Sequence, residues 1–172
     1  GKNWAEADAD VAEMVDFIDY YTRLMLRLHS PPELVQVPEE RNEIAYLPLG
    51  VGVCISPWNF PCAIMGGMAV SATVAGNTVV SKPSEDAPVV ATRFVQLLEE
   101  AGLPKGVVNL VTGRGATLGA HLVRHPRVRF ISFTGSREVG CQVTEQAAKV
   151  APGQRWLKRV VAEMGGKNAT IV

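Results

Sequence analysis

A chain of 172 residues with 47% hydrophobic positions is long enough to bury one core and too apolar to be a disordered tail. Lysine plus arginine (17) balances aspartate plus glutamate (17), and no block of like charge interrupts the sequence, so a nucleic-acid backbone or an anionic membrane surface is not an expected partner. The longest weakly polar run, Cys62 to Gly76, is broken by Gly66, Gly67, Ser71 and Thr73 and is too short to cross a bilayer.

From Ala5 to Leu28, apolar residues at Val11, Val15, Ile18, Met25 and Leu28 recur near a 3.6-residue period, with acids at the front and Arg23 and Arg27 near the end. This predicts a long amphipathic helix, terminated by Ser30-Pro31-Pro32. Leu34 to Val37 and Ile44 to Leu47 read as two extended segments around a polar turn at Pro38 to Asn42, a hairpin-like pair completing an N-terminal region over 1–49. From Gly50 the alternation becomes regular, and 50–172 reads as one dinucleotide-binding core. Strands are predicted at Val51 to Ile55, Thr78 to Ser81, Val107 to Val111 and Val128 to Phe133. Helices are predicted at Ala63 to Val74, Ala87 to Ala101, Ala116 to Val123 and Arg137 to Val150, the second of them closed by Gly102 and Pro104. Short Val/Ile-rich strands separated by helices of this length predict an α/β fold, an open parallel sheet with helices on both faces.

Cys54, Cys62 and Cys141 are an odd set without Cys-x-x-Cys spacing, which points to reduced thiols and a cytoplasmic location rather than a disulfide framework. His121 and His125 stand at i and i+4, but no third ligand is nearby, and no metal is expected. The chain opens at Gly1 without an initiator methionine or a signal-peptide pattern, so an N-terminal truncation is expected.

In a parallel sheet of this kind, ligands bind beyond the C-terminal ends of the strands. Gly113-Arg114-Gly115-Ala116-Thr117-Leu118-Gly119 comes close to Gly-x-Gly-x-x-Gly, but its last interval is one residue too long. Gly135-Ser136-Arg137-Glu138-Val139-Gly140 follows a strand and opens a helix, where free N–H groups and the positive helix end suit a pyrophosphate. A tight strand-to-helix turn is the plainer reading of the same glycines. Lys82 and Glu85 follow another strand end with Pro83 between them, placed either to bond adjacent ribose hydroxyls or to form a surface ion pair at the next helix. The carboxylate would repel a 2′-phosphate, which favours NAD over NADP.

Four motifs in order carry a resemblance: Pro57-Trp58-Asn59-Phe60-Pro61, Lys82-Pro83-Ser84-Glu85, Phe133-Thr134-Gly135-Ser136 with Gly140, and Glu163-Met164-Gly165-Gly166-Lys167. Together they resemble the aldehyde dehydrogenase superfamily. The opening Gly1 to Val11, the stretch Phe17-Ile18-Asp19-Tyr20-Tyr21, and Gly153 to Asn168 are similar to its 1-pyrroline-5-carboxylate (glutamate-γ-semialdehyde) dehydrogenase group, which widens the resemblance to essentially the whole chain.

The resemblance implies an NAD-dependent oxidation of a small-molecule aldehyde, glutamate-γ-semialdehyde, to glutamate in the second step of proline degradation, by an enzyme that is a homo-oligomer at full length. It assigns Asn59 to the oxyanion hole, a role for which one fixed donor is worth about 10² to 10³ in rate. Pro57 and Pro61 would hold the backbone of Asn59 while Trp58 and Phe60 fill apolar space, although a rigid turn is the simpler reading. It makes Glu163 the general base for thioester hydrolysis, provided burial raises its pKa. It places the cofactor along Ser56, Pro57, Trp58, Lys82, Ser84, Glu85, Gly115, Gly119, Phe133, Thr134, Gly135, Ser136, Val139 and Gly140, with Met164 and Gly165 lining the nicotinamide. The family's nucleophilic cysteine lies a few tens of residues past the Glu-x-Gly-Gly-Lys motif, and Cys54, Cys62 and Cys141 do not match it, so the chain is expected to be an inactive fragment. The alternatives are a dehydrogenase for another aldehyde and a non-catalytic dinucleotide-binding or self-associating module.

Overall fold

A computed structural model describes residues 2–30 and 32–171; Gly1, Val172 and the Pro31 of the predicted helix stop lie outside the described residues. Helix α1 spans Trp4–His29 and begins with a reciprocal cap, in which Glu6 N–H donates to Asn3 Oδ1 (2.9 Å) and Asn3 N–H to Glu6 Oε2 (3.3 Å). No strand forms between residues 32 and 50. The expected extended pair is held instead by side chains, with Asn42 N–H donating to Gln36 Oε1 (2.9 Å) and Asn42 Nδ2 to the Val35 carbonyl (3.0 Å).

The remaining elements alternate: β1 (Val51–Ile55), α2 (Ala63–Val74), β2 (Thr78–Lys82), α3 (Pro88–Glu100), β3 (Val108–Leu110), α4 (Ala120–Arg124), β4 (Val128–Thr134), α5 (Arg137–Ala148) and β5 (Arg159–Glu163). A π-helical turn, Gly115–Gly119, precedes α4, and the amide of Ala120 reaches back five residues to the Gly115 carbonyl. The predicted single helix Ala116 to Val123 is therefore two short pieces, a device common at functional sites. Proline cannot continue a helix, and α4 ends at Arg124, two residues before Pro126. Gly102 takes a positive φ of 91° after α3, a conformation that disfavours any residue with a Cβ.

The five strands among the described residues are all parallel, in the order β3-β2-β1-β4-β5. Alternate residues of the central strands supply two cores. Cys54 and Val79 face the layer of α1, α2 and α3, while Val53 and Ile131 face Val123 of α4 and Val143 of α5. Losing such a buried aliphatic side chain typically costs about 2 to 5 kcal/mol. Helix α2 is apolar nearly all round because it is sandwiched between α1 and the sheet. Its Gly66 and Gly67 permit the approach, since a Cβ there would stand 2.6 Å from Met14 Cγ and 2.9 Å from Phe17 Cδ2. Buried Asn77 steers the chain into β1: its Oδ1 accepts from Leu49 N–H (2.7 Å) and Gly50 N–H (2.9 Å), and its Nδ2 donates to the Ala72 carbonyl (3.0 Å).

Candidate functional site

The strand register brings the motif-bearing loops to one edge of the sheet. Ile55 stands level with Lys82 on one side and with Phe133 on the other, and Thr134 stands level with Glu163. Chain leaving β1 enters α2 on one face of the sheet, whereas chain leaving β4 enters α5 on the other. The ends of β1 and β4 therefore form a topological switch point, where open α/β sheets leave a ligand crevice.

Beside that point lies a cavity of about 350 Å³. Gly115, Gly119 and Val123 line one side, Val139, Val143 and Gln146 the other, with Ile55 reaching it from the sheet. The largely apolar walls suit a flat heterocycle. The cavity includes three of the sequence candidates, Gly115, Gly119 and Val139, and adds Val123, Val143 and Gln146, whose side chains read simply as helix positions. Buried Gln146 Oε1 has no hydrogen-bond partner among the described residues.

The first turn of α5 is ordered by its own cap, with Val139 N–H donating to Ser136 Oγ (3.3 Å), and by Gly135 N–H donating to the Glu163 carbonyl (3.1 Å). A Cβ at Gly135 would lie 2.7 Å from Phe133 Cζ, and one at Gly140 would lie 2.6 Å from Met164 Sδ. Thus Phe133, Gly140 and Met164 pack together, and the two glycines make room for these side chains at the start of α5.

Lys82 is buried beside the π-helical turn, and its Nζ donates to the Pro83 carbonyl (2.8 Å). Burial lowers its pKa, while the charge of Glu85 acts in the opposite direction. Glu85 is exposed, and Ser84 Oγ serves the local turn by accepting from Asp86 N–H (3.3 Å). Thr134 ends β4 half-buried beside this edge.

The loop from Ser56 to Pro61 joins β1 to α2. Its first residue is tied to the neighbouring strand end by Ser56 N–H donating to the Lys82 carbonyl (3.3 Å), and buried Ser56 Oγ has no partner among the described residues. Pro57 is half-buried and Asn59 projects to the surface. Contrary to expectation, Trp58 and Phe60 do not fill apolar space: Trp58 is 65% exposed, and the Phe60 ring lies under Lys2 Nζ, 4.1 Å from its centroid.

Glu163 is also exposed, so the expected burial is absent; it ends an edge strand with no further strand beyond it among the described residues. Gly165 has open space around it. Burial pushes the Cys54 thiol up to about 12 and also raises Cys62, the opposite of what activates a nucleophile, and Cys141 is exposed on α5.

The whole chain, residues 1–172, matches the aldehyde dehydrogenase family. It is 60% identical over all 172 residues to the 1-pyrroline-5-carboxylate dehydrogenases of Bacillus mycoides (strain KBAB4) and Bacillus cereus (strain AH187), covering 33% of each. The 1-pyrroline-5-carboxylate dehydrogenase from Thermus with bound NAD superposes on 97% of the chain with a TM-score of 0.94 at 56% identity, and 33% of that protein is covered. Proline utilization A from Bdellovibrio bacteriovorus matches 96% of the chain with a TM-score of 0.85 at 43% identity, with 17% of that protein covered. The chain spans about a third of the length of the curated relatives it matches. On the full-length match and on these identities, the chain belongs to the aldehyde dehydrogenase family.

Proposed function

We propose that this chain is the dinucleotide-binding part of an NAD-dependent dehydrogenase that oxidises L-glutamate-γ-semialdehyde (1-pyrroline-5-carboxylate) to glutamate in the cytoplasm. The observation that carries the reading is the convergence of the Asn59 loop, Lys82, Gly135 and Glu163 on one sheet edge at the β1/β4 switch point. The names of the relatives at 60% identity supply the substrate.

The residues fit NAD. The apolar cavity between the π-helical turn and α5 suits the adenine, the exposed first turn of α5 suits the pyrophosphate, and Lys82 with Glu85 suits the adenosine ribose. Unpartnered Ser56 Oγ offers a further polar group at the end of β1. When bound, NAD supplies the hydride acceptor. Asn59 donates its side-chain amide to the oxygen that gains negative charge when a thiolate adds to the aldehyde. Glu163, open to solvent at the end of β5, takes the proton from the water that cleaves the thioester. The nucleophile is none of Cys54, Cys62 and Cys141, two of which are buried with raised pKa values.

The test is a substrate panel on the full-length enzyme with NAD, beside the 172-residue chain alone. Glutamate semialdehyde should give the highest kcat/KM, and the isolated chain should form no NADH. A different aldehyde turned over with a higher kcat/KM overturns the substrate assignment. Turnover by the isolated chain near that of the full enzyme overturns the exclusion of its three cysteines.

A further inference from the structure

Helix α2 starts without a cap of its own: Cys62 sits at its N-cap position in an αR conformation and makes no side-chain hydrogen bond to the first turn. Amides at a helix start need partners, and here they come from a residue half a hundred positions earlier. Asp10 of α1 accepts from Cys62 N–H through Oδ2 (3.3 Å) and from Ala63 N–H through Oδ1 (2.9 Å). Its side chain is buried, with the residue only 4% exposed, and Lys2 Nζ lies 3.3 Å from Oδ2. A buried carboxylate is costly unless it is bonded and paired, and Asp10 is both.

These contacts flank the oxyanion loop. Lys2, besides pairing with Asp10, covers the ring of Phe60, the residue after Asn59. Met14 and Phe17 continue the same face of α1 over Gly66 and Gly67 of α2. At its other end the loop is tied by Ser56 N–H to the Lys82 carbonyl. An apolar residue at position 10 would also pack the two helices, but a carboxylate engaging two specific amides also fixes where α2 begins along α1.

We propose that Asp10, paired with Lys2, is a positioning residue for Asn59, clamping the start of α2 so that the Asn59 amide is held where the oxyanion forms. This rests on the assignment of Asn59 to the oxyanion in the preceding section. A misplacement on the order of 1 Å is enough to cost roughly 10²-fold in rate.

The experiment is a double-mutant cycle in the full-length enzyme to which these residues belong, read by the rate of the first turnover and by NAD affinity. Asp10→Ala should slow the first turnover by about tenfold to 10²-fold with NAD affinity unchanged. Asp10→Ala combined with Asn59→Ala should be no slower than Asn59→Ala, because a misplaced donor and a missing donor fail in the same way. Asp10→Asn keeps a neutral acceptor and should lose less; it carries the test if Asp10→Ala does not fold. Losses that multiply in the double variants, or NAD affinity that falls in step with rate, would overturn the proposal and leave a structural role only. If Asn59→Ala alone leaves the first turnover intact, the oxyanion assignment itself fails and the positioning role fails with it.

Discussion

The loop carrying Asn59 and the strand end carrying Glu163 leave the same edge of one sheet, yet they are built to different standards. Strand β1 is paired on both sides, and its loop runs straight into α2, which is buried between α1 and the sheet. Strand β5 is paired on one side only, its residues alternate between exposed and half-buried, and Val161 is 69% exposed. Beyond Glu163 no regular element follows among the described residues. Its ties to the fold are the β4 ladder, the Gly135 amide on the Glu163 carbonyl, and the packing of Val160, Ala162 and Met164 on the core shared with α5. The Asn59 side is thus supported by strands on both sides and helices on both faces, whereas the Glu163 side has one strand pairing and helix packing on one face.

The largest consequence lies in hydrogen exchange. The amides of β1 should exchange only through global opening and those of β5 through local opening, a difference of roughly 10³-fold or more in protection. Equal protection of the two strands would remove the contrast. Two glycine substitutions sharpen it further. Gly52→Ala drives a methyl into the Phe130 ring in the central strand and should cost about 1 to 3 kcal/mol of global stability, seen as a lower Tm. Gly140→Ala must push Met164 off α5; it should speed exchange in β5 and weaken NAD binding while moving Tm less than Gly52→Ala does.

A smaller effect comes from pH. The Cys54 thiol is raised from 9.0 to about 12 by burial, so its contribution is fully present below about 9 and lost as pH rises towards 12. Stability should fall by up to about 1.4 kcal/mol per pH unit in that window, and Cys54→Ala, although less stable at neutral pH, should show a flatter alkaline limb in urea melts. The smallest effect is at the ribose. Glu85→Gln removes the charge that repels a 2′-phosphate and should narrow the preference for NAD over NADP by a few fold; an unchanged ratio in nucleotide titrations would show that the carboxylate does not read the ribose.

Much of the contrast was visible in the residues themselves. The strand Val51–Ile55 and the helix Ala63–Val74 stand where the sequence puts them, because a short Val/Ile run and a small-residue apolar run have few other solutions inside a parallel sheet. Strand β5 is absent from the predicted strands, since an edge strand exposed on alternate residues lacks a buried run's signal. Leu34 to Val37 and Ile44 to Leu47 read as extended segments, but side-chain bonds from Gln36 and Asn42 replace the ladder. Asp10 looked like one acid among several at the front of an amphipathic helix; its partners lie more than fifty residues away, a distance that periodicity does not reach. Glu163 was recognisable by its motif, but its exposure follows from what flanks β5 in space.

The central claim, that Asn59 and Glu163 serve separate steps at one strand-end site, is tested most directly by pre-steady-state NADH formation in the full-length enzyme. Asn59→Ala should slow the first turnover itself by about 10² to 10³, because the oxyanion forms in acylation as well as in deacylation. Glu163→Gln should leave a burst of NADH followed by a slow phase as acyl-enzyme accumulates. A first turnover untouched by Asn59→Ala, or the absence of a burst with Glu163→Gln, would contradict the assignment.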